Sequence, residues 1–357
     1  MIPQCLANLP FLQVLDMEMN KLYGSVPNTF SSMTFSTLNL NSNQLVGPLP
    51  KSLSNCRNLE VLNLGNDIIK DTFPHWLQTL SHLKVLVLRA NKLHISIIKL
   101  KINRNPFPNL IIFDISCNDF SGPIPKFYAE NFEAMKNVIP FFYDSVNATT
   151  KGIDITYAII PTIFVSIDFS GNKFEGDIPN VIGELHAIIG LNLSHNKLTG
   201  AIPQSFGNLI NIESMDLSSN MLTGRIPTEL TNLNYLAVLN ISQNHLEGAI
   251  ARGEQFDTFS NDSYVGNYGL CGLPLSKNCN KISPPSTYSD EHEQKFGFCW
   301  QPVAIGGMVF GVGLGCFVLL IGKPQWLVSM VGGKPNSRRT RRMRPHERIN
   351  QNQLLHM

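Results

Sequence analysis

The sequence lacks the residue patterns that most enzymes and metal sites depend on. Its nine histidines are scattered, and it contains no Cys-x-x-Cys or His-x-x-x-His pair of the kind that ligates a metal. Charged residues make up only 15% of the chain, and the formal net charge is +2. We therefore expect no catalytic residues, no metal site and no cofactor.

Long uncharged hydrophobic runs are also scarce, but one lies at residues 302–322. A helix of these 21 residues rises about 1.5 Å per residue and so matches the roughly 30 Å hydrocarbon core of a bilayer. Trp300 and Trp326 flank the run, where interfacial aromatics lie. Residues 323–357 carry eight Lys or Arg and one Glu. The positive-inside rule therefore predicts a single-pass type I topology, with a basic cytoplasmic tail rather than a nucleic-acid-binding region.

The rest of the chain is dominated by one repeated pattern, LxxLxLxxNxLxGxIP. Its clearest copies run from Ile188 to Pro203 and from Ile212 to Pro227. Most copies are 23 or 24 residues apart, with steps of 27 and 54 residues as exceptions. The positions equivalent to the asparagine of the pattern are Asn20, Asn43, Asp67, Asn91, Asn118, Asn172, Asn196, Asn220 and Asn244.

This period predicts a solenoid in which every copy supplies one turn. Each LxL is a short strand whose leucines point into a shared core, while the residues between them face outward along a concave sheet. The asparagine amide can hydrogen-bond main-chain groups of the adjoining turn that would otherwise be buried unpaired. Asp67 keeps the acceptor of that amide and loses the donor.

The pattern resembles the plant extracellular leucine-rich repeat over roughly residues 1–279, which implies an α/β-type solenoid with short parallel strands on its concave face. Three features narrow the resemblance to plant leucine-rich-repeat receptor-like proteins, including the Cf-type disease-resistance receptors. Residues 126–160, inside the 54-residue step, resemble the island loop of that family. Residues 251–279, with Gly-Leu-Cys-Gly-Leu-Pro, resemble its C-terminal cap, and the single span with a short basic tail is the third feature.

The resemblance also implies a domain order. Residues 1–125 and 161–250 are expected to be repeats, and residues 280–301 an extracellular juxtamembrane segment. Ile2 and Pro3 stand where an earlier repeat would close, so we expect the first repeat array to be truncated at its N-terminus.

In function, the resemblance implies a kinase-less plasma-membrane receptor for an extracellular peptide or protein ligand. It is expected to signal in plant defence through two kinase partners, an adaptor receptor-like kinase at the transmembrane helix and a co-receptor kinase at the membrane-proximal repeats. The alternatives are a developmental peptide receptor of the same architecture, a cell-wall inhibitor protein and a nonfunctional truncated copy.

Covalent features are expected in the extracellular part. Cys271 and Cys279 lie in the cap on the oxidising side of the membrane, so a disulfide is predicted, with two free thiols as the alternative. Cys5, Cys56 and Cys117 fall within repeats and are expected to be buried as small apolar residues.

Four N-x-S/T sequons are candidate glycosylation sites, with chance occurrence as the alternative. They begin at Asn147, Asn192, Asn240 and Asn261.

Two further sets of residues are candidate contact sites. Gly307, Gly311 and Gly315 recur every four residues in the span and favour close helix packing. Ligand contacts are expected among outward strand residues that depart from the repeat consensus, although an ordinary solvated face is the simpler interpretation for each. These residues are Glu18, Asn41, Val87 and Arg89.

Overall fold

The computed structural model describes residues 1–30, 35–97, 105–137, 147–150, 153–156, 165–253 and 255–279. The chain divides into the units Met1–Pro302 and Val303–Met357, and all described residues belong to the first. Among them, no helix has both the length and the apolar character needed to cross a membrane. The predicted span with Gly307, Gly311 and Gly315, the juxtamembrane segment and the basic tail lie outside the described residues.

The described residues form short strands that alternate with short helices. The strands are β1 Val14–Asp16, β2 Tyr23–Gly24, β3 Thr37–Asn39, β4 Gln44–Gly47, β5 Val61–Asn63, β6 Ile68–Ile69, β7 Val85–Val87, β8 His94–Ser96, β9 Ile112–Asp114, β10 Asp119–Gly122, β11 Asn147–Thr150, β12 Ile153–Thr156, β13 Ser166–Asp168, β14 Lys173–Asp177, β15 Gly190–Asn192, β16 Lys197–Thr199, β17 Ser214–Asp216, β18 Thr223–Gly224, β19 Val238–Asn240, β20 His245–Ala249 and β21 Gly269–Cys271. The α-helices are α1 Lys126–Ala129 and α2 Glu133–Lys136. The 3-10 helices are Gln4–Asn8, Lys51–Asn55, His75–Thr79, Asn180–Glu184, Gln204–Asn208, Thr228–Asn232, Phe256–Thr258 and Asn261–Ser263.

The first strand of each turn joins one parallel sheet, in the order β1-β3-β5-β7-β9-β13-β15-β17-β19. The register places the central apolar residues of adjacent strands side by side, for example Leu62 beside Leu86 and Leu191 beside Met215. These central residues are buried from β3 to β19 because alternate strand residues point into the core. The predicted solenoid of short parallel strands is confirmed.

The asparagines of the repeat pattern, which we call the ladder asparagines, hydrogen-bond one turn to the next, as Asn220 shows. Its Nδ2 donates to the carbonyl oxygens of Leu193, Leu217 and Ser218 at 3.0, 3.1 and 3.2 Å. Its Oδ1 accepts the N–H of Leu198 at 3.0 Å. The side chain therefore satisfies main-chain groups of its own turn and of the preceding turn. Three donated bonds and one accepted bond recur at Asn43, Asn91, Asn118, Asn172, Asn196 and Asn244.

The ladder also passes across the 54-residue step and into the cap. Asn172 donates to the carbonyl of Ile115 at 3.0 Å, so the turns on either side of the step pack directly on each other. Asn267, which the repeat pattern did not identify, donates to the carbonyls of Ile241 and Tyr264, both at 2.9 Å. The cap therefore continues the ladder of the repeats.

The first part of the predicted island, residues 126–137, packs in the core. Tyr128, Phe132 and Met135 in and beside α1 and α2 are fully buried. The N–H of Ala187 donates to the carbonyl of Met135 at 2.9 Å, which ties α2 to the following turn. Further along the predicted island, β11 and β12 pair in antiparallel orientation.

Removing one ladder amide should destabilise the fold. Asn220→Ala is expected to lower the free energy of unfolding by about 3 kcal/mol, because buried carbonyl groups lose their donor. Guanidinium denaturation measures this loss. Asn211→Ala is the matched control, since Asn211 makes a single exposed bond to the carbonyl of His186 at 2.7 Å. Equal losses in the two variants would contradict the role of the ladder.

The main chain at Ile95 is strained, and a substitution to glycine should remove this strain. It has a φ of 74°, where the equivalent residues Gly122 and Gly176 have 73° and 78°. Branched residues rarely adopt this left-handed region, so Ile95→Gly is expected to stabilise the fold by about 1 kcal/mol. Val46→Gly, at an exposed strand position outside that region, should instead destabilise it in the same denaturation assay. A loss of stability in both variants would refute the strain at Ile95.

Candidate functional site

The outward face of the nine-stranded sheet carries two rows of side chains, set by their distance from the ladder position. The first row, four residues before it, is Asp16, Asn39, Asn63, Val87, Asp114, Asp168, Asn192, Asp216 and Asn240. The second row, two residues before it, is Glu18, Asn41, Gly65, Arg89, Ser116, Ser170, Ser194, Ser218 and Ser242.

After the island, the two rows hydrogen-bond to each other. Oδ1 of Asn192 accepts both the N–H and the Oγ–H of Ser194, at 3.1 and 2.8 Å. Nδ2 of Asn192 donates to Oδ2 of Asp168 at 3.3 Å. Asn240 bonds Ser242 and Asp216 in the same way. This half of the face therefore has its polar groups committed to internal bonds.

In the first four turns, the second row departs from serine, and three predicted ligand-facing residues meet there. A β-carbon added to Gly65 would lie 3.1 Å from Oδ1 of Asn41, 3.1 Å from Cγ of Arg89 and 3.3 Å from Cγ1 of Val87. Asn66 donates to the same Oδ1 of Asn41 at 2.8 Å. We call Asn41, Gly65, Val87 and Arg89 the Gly65 cluster. The sequence did not identify Gly65 as a site residue, because glycine has no side chain to contact a ligand.

Glu18, the fourth predicted ligand-facing residue, does not join this cluster. Its Oε2 accepts Nδ2 of Asn39 at 2.9 Å, and Asn39 also donates to Oδ2 of Asp16 at 3.1 Å. Glu18 follows β1, at the edge of the sheet, two strands from the strand that leads to Gly65. It is part of a separate acidic edge.

Two carboxyl groups lie side by side next to the Gly65 cluster. Asp114 and Asp168 are directly opposed in the register of β9 and β13. Arg89 Nη1 is 3.9 Å from Oδ2 of Asp114, which links this aspartate pair to the cluster. Burial raises the pKa of Asp114. Burial, followed by the nearby charge of Asp114, raises the pKa of Asp168 to about 7.

Asp114 differs from the other acids of the first row in the residue that follows it along the sheet. Asp168 and Asp216 are each followed by an asparagine whose amide donates to the carboxylate. Asp114 is followed instead by Asp168, so the two carboxyl groups repel each other when both are ionised. This repulsion lies where the island interrupts the repeat.

The cysteines and sequons lie away from the Gly65 cluster. Cys271 and Cys279 are joined as a disulfide in the cap, with Cα atoms 5.0 Å apart. Of the other cysteines expected to be buried, Cys56 is buried, Cys117 is partly buried and Cys5 is exposed, so the expectation for Cys5 is wrong.

The candidate glycosylation sites have different surroundings. Asn192 and Asn240 lie in the first row with hydrogen-bonded amides, as described above. Asn261 is exposed in the cap, and Asn147 begins the hairpin strand β11. In the described part of the chain, no group of three or more His, Cys, Asp or Glu residues is arranged to hold a metal.

A groove of about 670 Å³ lies beside the island, away from the two rows. It is bounded by residues 123–127 and 177–181, which close the turns on either side of the 54-residue step. The sheet face and this groove are therefore separate surfaces.

The parallel sheet, the ladder and the disulfide-closed cap together define a leucine-rich-repeat solenoid. Two family models agree, each described as a leucine-rich repeat, over residues 188–246 and 34–56. Receptor-like protein 34 of Arabidopsis thaliana is 46% identical over 97% of this chain and 38% of its own length. Receptor-like protein 43 of the same plant is 46% identical over 95% of this chain and 50% of its own length. The chain belongs to the plant leucine-rich-repeat receptor-like proteins, and it spans half the length of these relatives or less.

Solved structures with the same architecture include receptor ectodomains. The leucine-rich-repeat ectodomain of the receptor kinase GASSHO1/SCHENGEN3, in complex with CASPARIAN STRIP INTEGRITY FACTOR 2, has a TM-score of 0.59 and 28% identity over 78% of this chain and 32% of its own. The receptor kinase HAESA, in complex with the peptide hormone IDA and the co-receptor SERK1, has a TM-score of 0.55 and 29% identity over 79% and 45%. Both are from Arabidopsis.

The same fold also serves a different purpose. A plant ice-binding protein has a TM-score of 0.61 and 27% identity over 79% of this chain and 80% of its own. Fold alone therefore does not assign a function, and the side chains on the sheet must do so.

The aspartate pair should make stability depend on pH. Because the pKa of Asp168 is raised in the fold to about 7, from the ordinary 3.8, stability should be highest at low pH and fall as the pH approaches 7. Asp168→Asn removes this loss, so at pH 8 it should be more stable than the wild type by on the order of 2 kcal/mol.

Denaturation at pH 4, 6 and 8 tests the expectation, with the advantage of Asp168→Asn shrinking toward pH 4. Asn192→Asp, which places a third carboxyl group in the same row, should steepen the pH dependence instead. Parallel pH profiles for all three proteins would contradict the repulsion.

Proposed function

We propose that this chain is part of a kinase-less cell-surface receptor that binds an extracellular peptide or protein ligand on the outward face of its parallel sheet. The observation that carries the proposal is the Gly65 cluster. It breaks a surface whose polar groups are otherwise bonded to each other, and ligand recognition needs groups that remain available to a partner.

The Gly65 cluster combines polar, charged and apolar groups within a small area. Because Gly65 has no side chain, Asn41, Arg89 and Val87 pack closely around its α-carbon. Arg89 brings guanidinium donors, of which Nε is buried without a hydrogen-bond partner among the described residues. The Arg89 side chain as a whole is 35% exposed, so a carbonyl or carboxylate oxygen of a peptide would accept hydrogen bonds from the outer nitrogens of its guanidinium.

The relatives support this assignment by their own ligands. HAESA and GASSHO1/SCHENGEN3 are receptor kinases in complexes with the peptide hormone IDA and with CASPARIAN STRIP INTEGRITY FACTOR 2. These complexes favour a peptide ligand for this chain as well. They also support the alternative of a developmental peptide receptor, because IDA is a peptide hormone.

The repeats after the island are not assigned to the peptide ligand. Their serine, aspartate and asparagine rows are hydrogen-bonded to each other. Since the HAESA complex includes the co-receptor SERK1, we assign this membrane-proximal half to a co-receptor kinase. The signal would then pass to plant defence through kinases associated with the receptor.

The membrane part of the proposal rests on the sequence. Residues 302–322 would cross the plasma membrane once, with the repeats outside and the basic tail inside. Gly307, Gly311 and Gly315 would form a small-residue face on that helix, against which an adaptor receptor-like kinase packs.

Gly65→Ala tests the ligand face. The added methyl group would lie 3.1 Å from both Oδ1 of Asn41 and Cγ of Arg89 and would push these side chains apart, so affinity for a peptide captured from extracellular fluid should fall about tenfold or more. Titration calorimetry with the captured peptide measures the change. Gly190→Ala is the matched control, since its β-carbon would meet only Ser166 Cβ at 3.5 Å, an ordinary contact.

Affinity should be unchanged in Gly190→Ala and should also fall in Arg89→Ala. If Gly65→Ala and Arg89→Ala bind as tightly as the wild type, the ligand does not occupy the Gly65 cluster.

A further inference from the structure

We call each ladder side chain, with the main-chain groups that it hydrogen-bonds, a rung. One rung has an aspartate, Asp67, where most other rungs have an asparagine. Asp67 is only 8% exposed, and its Oδ1 accepts the N–H of Leu45 at 2.9 Å, as a ladder asparagine would. Its Oδ2 is buried and has no hydrogen-bond partner in the described part of the chain. Because Oδ1 makes the accepted bond of a ladder asparagine, Oδ2 corresponds to the Nδ2 of those asparagines.

The adjoining rungs show what surrounds that position. Nδ2 of Asn43 donates to the carbonyls of Met17, Leu40 and Asn41 at 3.0, 2.8 and 3.3 Å. Nδ2 of Asn91 donates to the carbonyls of Leu64, Leu88 and Arg89 at 2.7 to 3.1 Å. By the repeat, Oδ2 of Asp67 faces carbonyl oxygens of its own turn and of the turn before.

An acceptor that faces acceptors is unfavourable when it is ionised. A carboxylate has no hydrogen to donate, whereas a protonated carboxyl group has one O–H donor and keeps the acceptor for Leu45. Protonation therefore restores a donor to this rung. The spacing of about 3 Å that the amides keep is a hydrogen-bond distance, and it leaves no room for a calcium ion between the oxygens, which would need about 2.4 Å to each of them.

We propose that Asp67 is a proton-dependent joint of the solenoid, which is closed when its carboxyl group is protonated and loosened when the proton leaves. The joint lies between the turns of Asn43 and Asn91. It concerns the stability of these turns and does not depend on the ligand or partners of the receptor.

The electrostatic surroundings agree with this assignment. Burial raises the pKa of Asp67 from 3.8 to about 6, against smaller lowering effects of the main-chain N–H groups of Leu45 and Asn43. No charged side chain contributes to the shift. The charged groups nearest in sequence are Lys70 and Asp71 in its own turn and Arg89 and Lys92 in the next, and residues 36–50 of the preceding turn carry none.

The joint lies directly behind the Gly65 cluster. The carbonyl of Gly65, two residues before Asp67, accepts the N–H of Ser42 at 2.9 Å. Asn66, immediately before Asp67, has a φ of 55° and holds the Asn41 side chain. A loosened rung would therefore disturb the main chain that supports the cluster.

The test compares unfolding of the full 357-residue chain in detergent at pH 4, 5, 6 and 7. Because the folded pKa of Asp67 is raised, its stabilising effect is complete below pH 3.8 and is lost as the pH rises through about 6. The two-unit shift corresponds to as much as a hundredfold rise in the unfolding equilibrium constant. Asp67→Asn should lack this rise, so that its advantage over the wild type grows with pH.

Two further variants separate the joint from general charge effects. Asn91→Asp places the same acid on the next rung and should add a second pH-dependent loss. Glu60→Gln removes a carboxylate from the same turn at the solvent side, where it pairs with Lys84 at 3.0 Å, and should keep the wild-type profile.

Hydrogen exchange at the amide of Leu45, corrected for its intrinsic pH dependence, reports on the rung itself. It should accelerate between pH 5 and 7 in the wild type and not in Asp67→Asn. If wild type and Asp67→Asn have the same pH profile in both measurements, or if Asn91→Asp adds no pH dependence, the joint is refuted. Stabilisation of the wild type by calcium at pH 7 would also refute it, because a metal site would then replace the proton.

Discussion

The ladder of buried side-chain amides is the interaction on which the rest of this structure depends. Strands of three residues have too few main-chain hydrogen bonds to hold a turn in place, and each turn has its core only against its neighbours. At most turns one asparagine hydrogen-bonds three carbonyl oxygens and one N–H, as Asn220 does, and so pairs main-chain groups at the end of the strand that would otherwise be buried without a partner. The regular spacing of the sheet follows from this single side chain.

Because the ladder and the core take the inward residues, function is confined to the outward positions. After the island these positions are also bonded to each other, through Asn192 with Ser194 and Asn240 with Ser242. Before the island, Gly65 and Arg89 replace serine, and the side chains of Asn41, Val87 and Arg89 meet over Gly65. The aspartate pair borders this cluster. The two halves of one sheet therefore differ: after the island the outward polar groups are bonded to each other, and before it they form the proposed ligand site.

Much of this could be predicted from the sequence, because the ladder forces a period on it. The spacing of the asparagines predicted the strands and the core correctly, and three of the four proposed ligand-facing residues meet at one place. The other features could not be predicted, for physical reasons. Asn267 stands 23 residues after Asn244, but the cap lacks the leucines that mark a repeat. In and beside α1 and α2, aromatic residues fill the core in place of the repeat pattern, so the period did not predict that this segment is buried. Gly65 has no side chain, and its importance lies in the neighbouring side chains that can pack over it.

The nearest-neighbour character of a solenoid explains why one altered rung can matter locally without dissolving the fold. Each ladder side chain touches its own turn and the turn before, so replacing an amide with the carboxyl group of Asp67 weakens the contacts around one rung only. A globular core would spread such a defect over many contacts, whereas here it stays beside Gly65. The position of a departure from the repeat therefore decides which part of the face it influences. Asp67, Gly65 and Arg89 fall in two consecutive turns, which makes that short stretch the place where the stability of the array and the chemistry of its surface are coupled.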